Sequence, residues 1–382
     1  MLTYTAGFLL FLLGICLSLA WHEAGHMLAA RAFGMKVRRF FVGRGPTVFS
    51  FRHGETEYGL KALPIGGFCD IAGLTSLDEL SPDEERRAMW RYPAWKRTTV
   101  MLAGPVMHVV LAVAVLYAMA VSLGLPNLKP VTEPVVATTT CVGAVCPAAE
   151  AGLRPGDRIE TVAGVSTPLW RDVLVAVQAA DGPTELTVRR DGSPLTLTVD
   201  VTRVPRAGGA IGMMGATPVP PPAYFQYDPL AATGATAAFT GDLISATVTQ
   251  LAAFPERVPA VVKAIGGERD PDIPISMVGA SRLGGEAVER GLWGTFLLLL
   301  VSLNLFMAVF NLLPLLPLDG AHIAVVWFER VRDTLRRLRG RPAGGPVDFT
   351  RLLPVTMVLI ALGGTVMALT ITADIVNPIR LS

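Results

Sequence analysis

Apolar residues gather into four long runs, roughly residues 6–33, 98–124, 292–313 and 353–376. A hydrocarbon core of ~30 Å takes about 20 helical residues to cross, so each run predicts a membrane-spanning helix. The segments between them have other patterns. Residues 37–50 and 57–63 place β-branched and aromatic residues between glycines, with a turn at 52–55, so short strands are expected there. Residues 64–68, Pro-Ile-Gly-Gly-Phe, are expected to break the second strand. Further on, a helical stretch at 169–179 precedes strands at 185–189 and 195–201, with Asp191-Gly192 as a hairpin turn. Residues 205–222 are rich in Pro and Gly and predict a linker. Residues 230–285 are expected to hold one or two amphipathic helices on the membrane surface.

Composition agrees with a membrane protein: 51% of the 382 residues are apolar, only 17% are charged, and the mean hydropathy is +0.48. A net charge of +2 gives no reason to expect a nucleic-acid partner. The distribution of Lys and Arg is more informative. Residues 31–97 hold twelve of them, and Arg330, Arg332, Arg336, Arg337, Arg339, Arg341 and Arg351 crowd the loop before the last run. The positive-inside rule puts those two loops in the cytoplasm, and the 125–290 segment and both termini outside. The first run has no positive side chain before it and reads as a retained helix rather than a signal peptide. The four cysteines make no zinc-ribbon spacing, and Cys141 and Cys146 read as unpaired thiols.

Within the first run stands His22-Glu23-Ala24-Gly25-His26. Four residues advance a helix by about 400° and ~6 Å, so the two imidazoles share one face with a carboxylate beside them. Such a pair is ready to hold zinc, and ionisable residues at membrane depth are read as functional. A catalytic zinc needs a third protein ligand and an open position for water. Asp319 is the candidate: it ends an apolar run broken by Pro314 and Pro317, and the orientation rule brings it to the depth of the histidines. Asn304 and His108 read as interhelical hydrogen-bonding groups, and His322 as a neighbour of the ligand set.

These motifs occur in a telling order. HExxH in the first helix is followed by the glycine-bearing strand segment, Ala103-Gly104-Pro105 in the second helix, Ala-Gly-Leu-x-x-Gly-Asp-x-Ile at 151–159, and Asn-x-x-Pro-x-x-Pro-Leu-Asp-Gly at 311–320. The chain resembles the site-2 protease family of intramembrane zinc metalloproteases, and within it the bacterial, actinobacterial-like branch that cleaves anti-sigma factors. His108 stands where that family usually has asparagine, and Ala321 where it has glycine. The segment around 151–159 looks like one PDZ domain. The resemblance implies zinc on His22, His26 and Asp319, Glu23 as general base, and substrate contacts from Asn311 and from the Gly43, Gly45, Ile65, Gly66, Gly67 and Phe68 edge.

The expected architecture is a polytopic α-helical membrane protein with four transmembrane helices, a small cytoplasmic membrane-associated β-sheet and one extracytoplasmic PDZ domain. Its divisions are 1–35 (first helix), 36–97 (β region), 98–124 (second helix), 125–204 (PDZ), 205–290 (linker and amphipathic helices), 291–326 (third helix), 327–352 (basic loop) and 353–382 (fourth helix and tail). Expected partners are a single-pass transmembrane substrate, an anti-sigma factor by resemblance, and the lipid of a bacterial cell membrane. A PDZ-bearing scaffold with a structural metal and a metal or proton transporter are the alternatives; Glu23 speaks against the first, and the lack of inverted repeats against the second.

Overall fold

A computed structural model describes residues 1–206, 209–267 and 273–381; the side chains of Pro64, Ile65 and Arg206 lie outside that set. The chain divides into two compact units. Met1–Gly124 with Gln226–Ser382 form one, and Leu125–Phe225 the other.

The first unit begins with α1 (Leu2–Ala32). Its buried residues Gly7, Phe11, Ile15, Ser18, His22, Gly25 and His26 recur every three or four positions, a single stripe on a helix that is apolar all round. Leu9, Leu10, Leu13, Leu17 and Trp21 remain exposed. Then come β1 (Val37–His53) and β2 (Thr56–Ile71), paired antiparallel. The expected break at 64–68 does not occur: β2 turns at Gly66, which has a φ of +75°, and continues to Ile71. Residues 39–42 consequently have two sets of ladder partners, 57–60 and 67–70, one along each edge. Arg38 clamps the base of this sheet to Asp78 and to Glu84 in the short helix α2 (Pro82–Arg86), and that guanidinium holds the Glu84 carboxyl down at about 2.

Helix α3 (Ala94–Ser122) carries the second apolar run and leads into the other unit. There, β3 (Leu125–Pro126), β4 (Val136–Thr139), α4 (Pro147–Glu150), β5 (Arg158–Val162), β6 (Val165–Ser166), α5 (Trp170–Ala179), β7 (Gly182–Arg190), β8 (Ser193–Arg206), β9 (Gly209–Met213), β10 (Ala216–Pro218) and β11 (Tyr224–Phe225) follow in order. One sheet has the order β6-β5-β7-β8-β9; β4 pairs with β10 and β3 with β11. Leu186 and Val188 from β7 and Val199 and Val201 from β8 point to one face by strand alternation, and Trp170, Val173 and Val177 of α5 are buried with them. Within the linker expected at 205–222, residues 209–213 and 216–218 are strand instead, because β9 and β10 find partners in β8 and β4, which a local Pro and Gly count does not register. Cys141 and Cys146 are joined in a disulfide rather than free: the Val142–Val145 bridge brings their Cα atoms to 4.0 Å.

Asp157 is buried in this unit, accepting from Arg190 Nε and Nη2 at 2.8 and 2.7 Å and from the Arg154 amide at 2.8 Å. The paired guanidinium holds its carboxyl below the usual range. A depressed folded value means stabilisation that is complete above the unfolded value of about 3.9 and lost as the pH falls through the folded one. Asp157→Ala is therefore expected to destabilise this unit more at neutral pH than in strong acid, where the wild-type carboxyl is itself protonated and its ion pair with Arg190 is lost. Hydrogen exchange on residues 125–225 of the whole protein at two pH values checks this; an equal loss at both contradicts it.

Back in the first unit, α6 (Pro229–Ala252), α7 (Phe254–Gly266) and α8 (Met277–Glu289) occupy the region expected to hold one or two surface helices. Helix α8 is buried against α1, since Gly7, Gly284 and Gly285 let the backbones meet; a Cβ on Gly7 would lie 2.7 Å from the Val288 Cβ. Helix α9 (Trp293–Asn311) ends before the prolines, and α10 (Asp319–Leu338) starts anew, so much of the expected basic loop at 327–352 is helix. Helix α11 (Leu353–Val376) closes the chain. Helices α1, α3, α9 and α11 are long and apolar enough to cross a membrane.

Candidate metal centre

Helical periodicity stacks His22 and His26 edge to face, with ring centroids 4.8 Å apart and their Nε2 atoms 3.1 Å apart. Asp319, the first residue of α10, closes the triangle. Its Oδ2 is 3.3 Å from His22 Nε2 and its Oδ1 3.4 Å from His26 Nε2. His26 Nδ1 lies 2.8 Å from the Val100 carbonyl, to which it donates, leaving Nε2 to face the centre as a lone pair.

Helix α3 forms the back wall. A Cβ on Gly104 would sit 2.4 Å from His26 Nε2 and 2.7 Å from His22 Cε1, and one on Gly25 would sit 2.5 Å from the Ala103 carbonyl. Two glycines on facing helices thus bring both imidazoles against bare backbone. Deeper along α3, His108 Nδ1 pairs with Asn304 Oδ1 at 2.8 Å, and Asn304 Nδ2 donates to Ser18 Oγ at 3.0 Å and to the Leu300 carbonyl at 2.8 Å. One polar network therefore joins α1, α3 and α9.

Zinc fits these residues. Tetrahedral zinc with bonds of about 2.0–2.1 Å sets its ligand atoms ~3.3 Å apart; here the two Nε2 atoms are 3.1 Å apart, and each faces its own Asp319 oxygen, His22 at 3.3 Å from Oδ2 and His26 at 3.4 Å from Oδ1. Asp319 Oδ2 is buried without a hydrogen-bond partner among the described residues, which a cation at the centre would relieve. Half-buried Glu23 stands beside the triangle: its Cγ would be 3.0 Å from a Cβ on Gly67. The far part of β2 therefore passes directly over Glu23.

The place of Asp319 depends on α10, because residues 312–318 with two prolines separate it from α9. An ion pair docks α10 on α3: Arg97 Nη1 to Glu329 Oε2 at 2.7 Å, both side chains largely buried, with Glu329 Oε1 also accepting from the Val347 amide at 2.7 Å. Arg97→Ala is expected to weaken zinc retention about tenfold, the order seen when a group orienting the ligands is lost. Zinc content after dialysis against graded chelator measures it, and wild-type retention would remove this pair from the support of Asp319.

Of the other residues singled out by sequence, Gly43 and Gly45 have φ of +87° and +86° and pack against Leu63 rather than the triangle. Phe68 stacks on Phe41 at 5.4 Å. Asn311 is half-buried in the last turn of α9. The Ile65 side chain lies outside the described residues. His322 stacks on Phe349 at 5.8 Å. Sequence reasoning missed Gly104, Gly25, Val100 and the Arg97–Glu329 pair; only the Ala103-Gly104-Pro105 motif carried a signal.

Comparison with known proteins bears on this arrangement. The profile of peptidase family M50 matches residues 10–355. The chain belongs to peptidase family M50, the site-2 proteases. It is 46% identical to the zinc metalloprotease Rip1 of Mycobacterium bovis over 99% of each chain, and 46% identical to the Rip1 of Mycolicibacterium smegmatis over 98% of each. Membership makes it an enzyme, a multi-pass membrane metallopeptidase whose cofactor is zinc. The scaffold and transporter alternatives give way to that.

Proposed function

We propose that this site-2 protease cuts a peptide bond inside the transmembrane segment of single-pass proteins, anti-sigma factors already shortened by another protease being the expected class. His22, His26 and Asp319 hold the zinc in this reading, and Glu23 is the general base. The observation that carries it is the depth of the triangle: two of its three corners and Glu23 belong to a helix apolar enough to span the membrane. Zinc, when bound, acidifies a water molecule and polarises the scissile carbonyl. Glu23 takes the proton of the attacking water on a carboxylate oxygen and passes it to the leaving amide nitrogen.

A transmembrane helix hides its carbonyls in hydrogen bonds, so the substrate unwinds before it is cut. Each unpaired backbone group in lipid costs several kcal/mol. The β2 edge at Gly66, Gly67 and Phe68 runs beside Glu23 and takes the unwound segment as an added strand, supplying those hydrogen bonds. Gly43 and Gly45 let β1 bend beneath that edge, and Asn311 hydrogen-bonds the strand or the developing oxyanion. The Leu125–Phe225 unit acts as an extracytoplasmic PDZ domain that screens substrates by the size of their outer part, with both termini on its side of the membrane. The test is the cut itself. Purified protease given a tagged single-pass substrate lacking its outer domain is expected to release fragments ending within the apolar segment, and a chelator is expected to stop it. Termini mapped by mass spectrometry to a flanking loop instead would overturn the reading.

A further inference from the structure

Helix α10 has a second exposed face that the metal centre does not use. Val326 and Glu329 are buried toward α3, whereas Trp327, Phe328, Val331, Leu335 and Leu338 are 50, 59, 56, 50 and 79% exposed. At 100° per residue these five fall within an arc of ~100°, centred opposite the buried pair. Arg330 and Arg337 lie on one side of the arc and Arg339 on the other, all three exposed. Arg332 and Arg336 are occupied differently, the first by Asp333 and the second by the Pro342 carbonyl.

An apolar strip of this width open to water would be unusual, and the chain says what meets it. Helix α10 lies between α9 and α11, both long and apolar enough to cross a membrane, so its two ends are tied to the bilayer. An apolar arc bordered by arginines suits the boundary between acyl chains and headgroups: the strip enters the acyl region and the guanidiniums stay with the phosphates. Guanidinium forks pair with phosphate oxygens bidentately, and an anionic leaflet adds a favourable field. We propose that α10 is an interfacial helix that binds anionic phospholipid, with Trp327, Phe328, Val331, Leu335 and Leu338 in the acyl boundary and Arg330, Arg337 and Arg339 on the headgroups. This rests on the multi-pass reading and not on the identity of the substrate.

Trp327 reports the contact. The full-length protein is reconstituted in nanodiscs of phosphatidylcholine and phosphatidylglycerol, with bromine on the acyl chains of one lipid or the other at equal mole fraction. The fluorescence difference between wild type and Trp327→Phe isolates the signal of this residue. Quenching is expected to be several-fold stronger with brominated phosphatidylglycerol, and the preference to shrink with added salt and in R330Q/R337Q/R339Q. Equal quenching by both lipids in the wild type would mean apolar insertion without headgroup recognition, and would overturn the proposal. Absence of quenching by either would overturn it too, since the strip would then be covered by a protein surface, a second copy included. The difference between wild type and Trp327→Phe decides, so a charge variant that fails to fold leaves the result standing.

Discussion

Glu23→Gln is expected to lower peptide hydrolysis by ~10²–10⁴, the usual worth of a positioned general base, while zinc content stays at the wild-type level. Glutamine has the same length and shape, so it keeps the contact with Gly67. What it lacks is the capacity to accept a proton from water. His22 and His26 stand 3.1 Å apart and each faces an oxygen of Asp319 at 3.3–3.4 Å without help from Glu23, which is why zinc should remain. The measurement pairs a substrate cleavage assay with metal analysis on the same preparation. Activity within a few-fold of wild type would remove Glu23 from the chemistry; lost zinc would make it a support of the metal instead.

Gly104→Ala is expected to empty the centre through one methyl group. Its Cβ would meet three imidazole atoms, His26 Nε2 at 2.4 Å and His22 Cε1 and His26 Cε1 at 2.7 Å, all inside contact distance. The rings cannot swing away freely, because His26 is held by the Val100 carbonyl and Asp319 lies on their other side. Either the helices separate or the imidazoles leave the geometry that suits zinc. Overpacking of this kind costs about 1–3 kcal/mol in stability, but the expected loss in zinc affinity is larger in consequence, at least ~10-fold, with activity falling in parallel. Gly363→Ala in α11 is the control, since a Cβ there meets nothing within 4 Å and it should hold zinc like the wild type. Both variants are compared by chelator competition and thermal melting. Full zinc retention by Gly104→Ala would show that α1 and α3 can part without disturbing the histidines.

Each of these positions was legible in the sequence to a different degree. Glu23 stood out because HExxH is a local pattern: the 3.6 period of one helix places both imidazoles and the carboxylate, with no reference to anything more than four residues away. The four spans were legible for a similar reason, since crossing lipid requires only an unbroken apolar run. Asp319 was legible as a candidate from the prolines before it. Gly104 was not, because its importance lies in which residues of another helix it faces.

The chain by itself determined those elements governed by rules of short range, the spans, the paired histidines and the Asp191-Gly192 turn, and through the order of its motifs it indicated the family. Tertiary structure decided the rest. Residues 209–213 and 216–218 became strands only because β8 and β4 offered free edges, and β2 continued past Gly66 because residues 39–42 had a second edge to fill. Helix α8 left the surface because Gly7 and Gly285 let it reach α1, and α10 was docked by Arg97 and Glu329, which are 232 positions apart. Hydrogen-bond edges, glycine clearances and buried charge pairs acquire their energy from a partner far along the chain, and no local pattern names that partner.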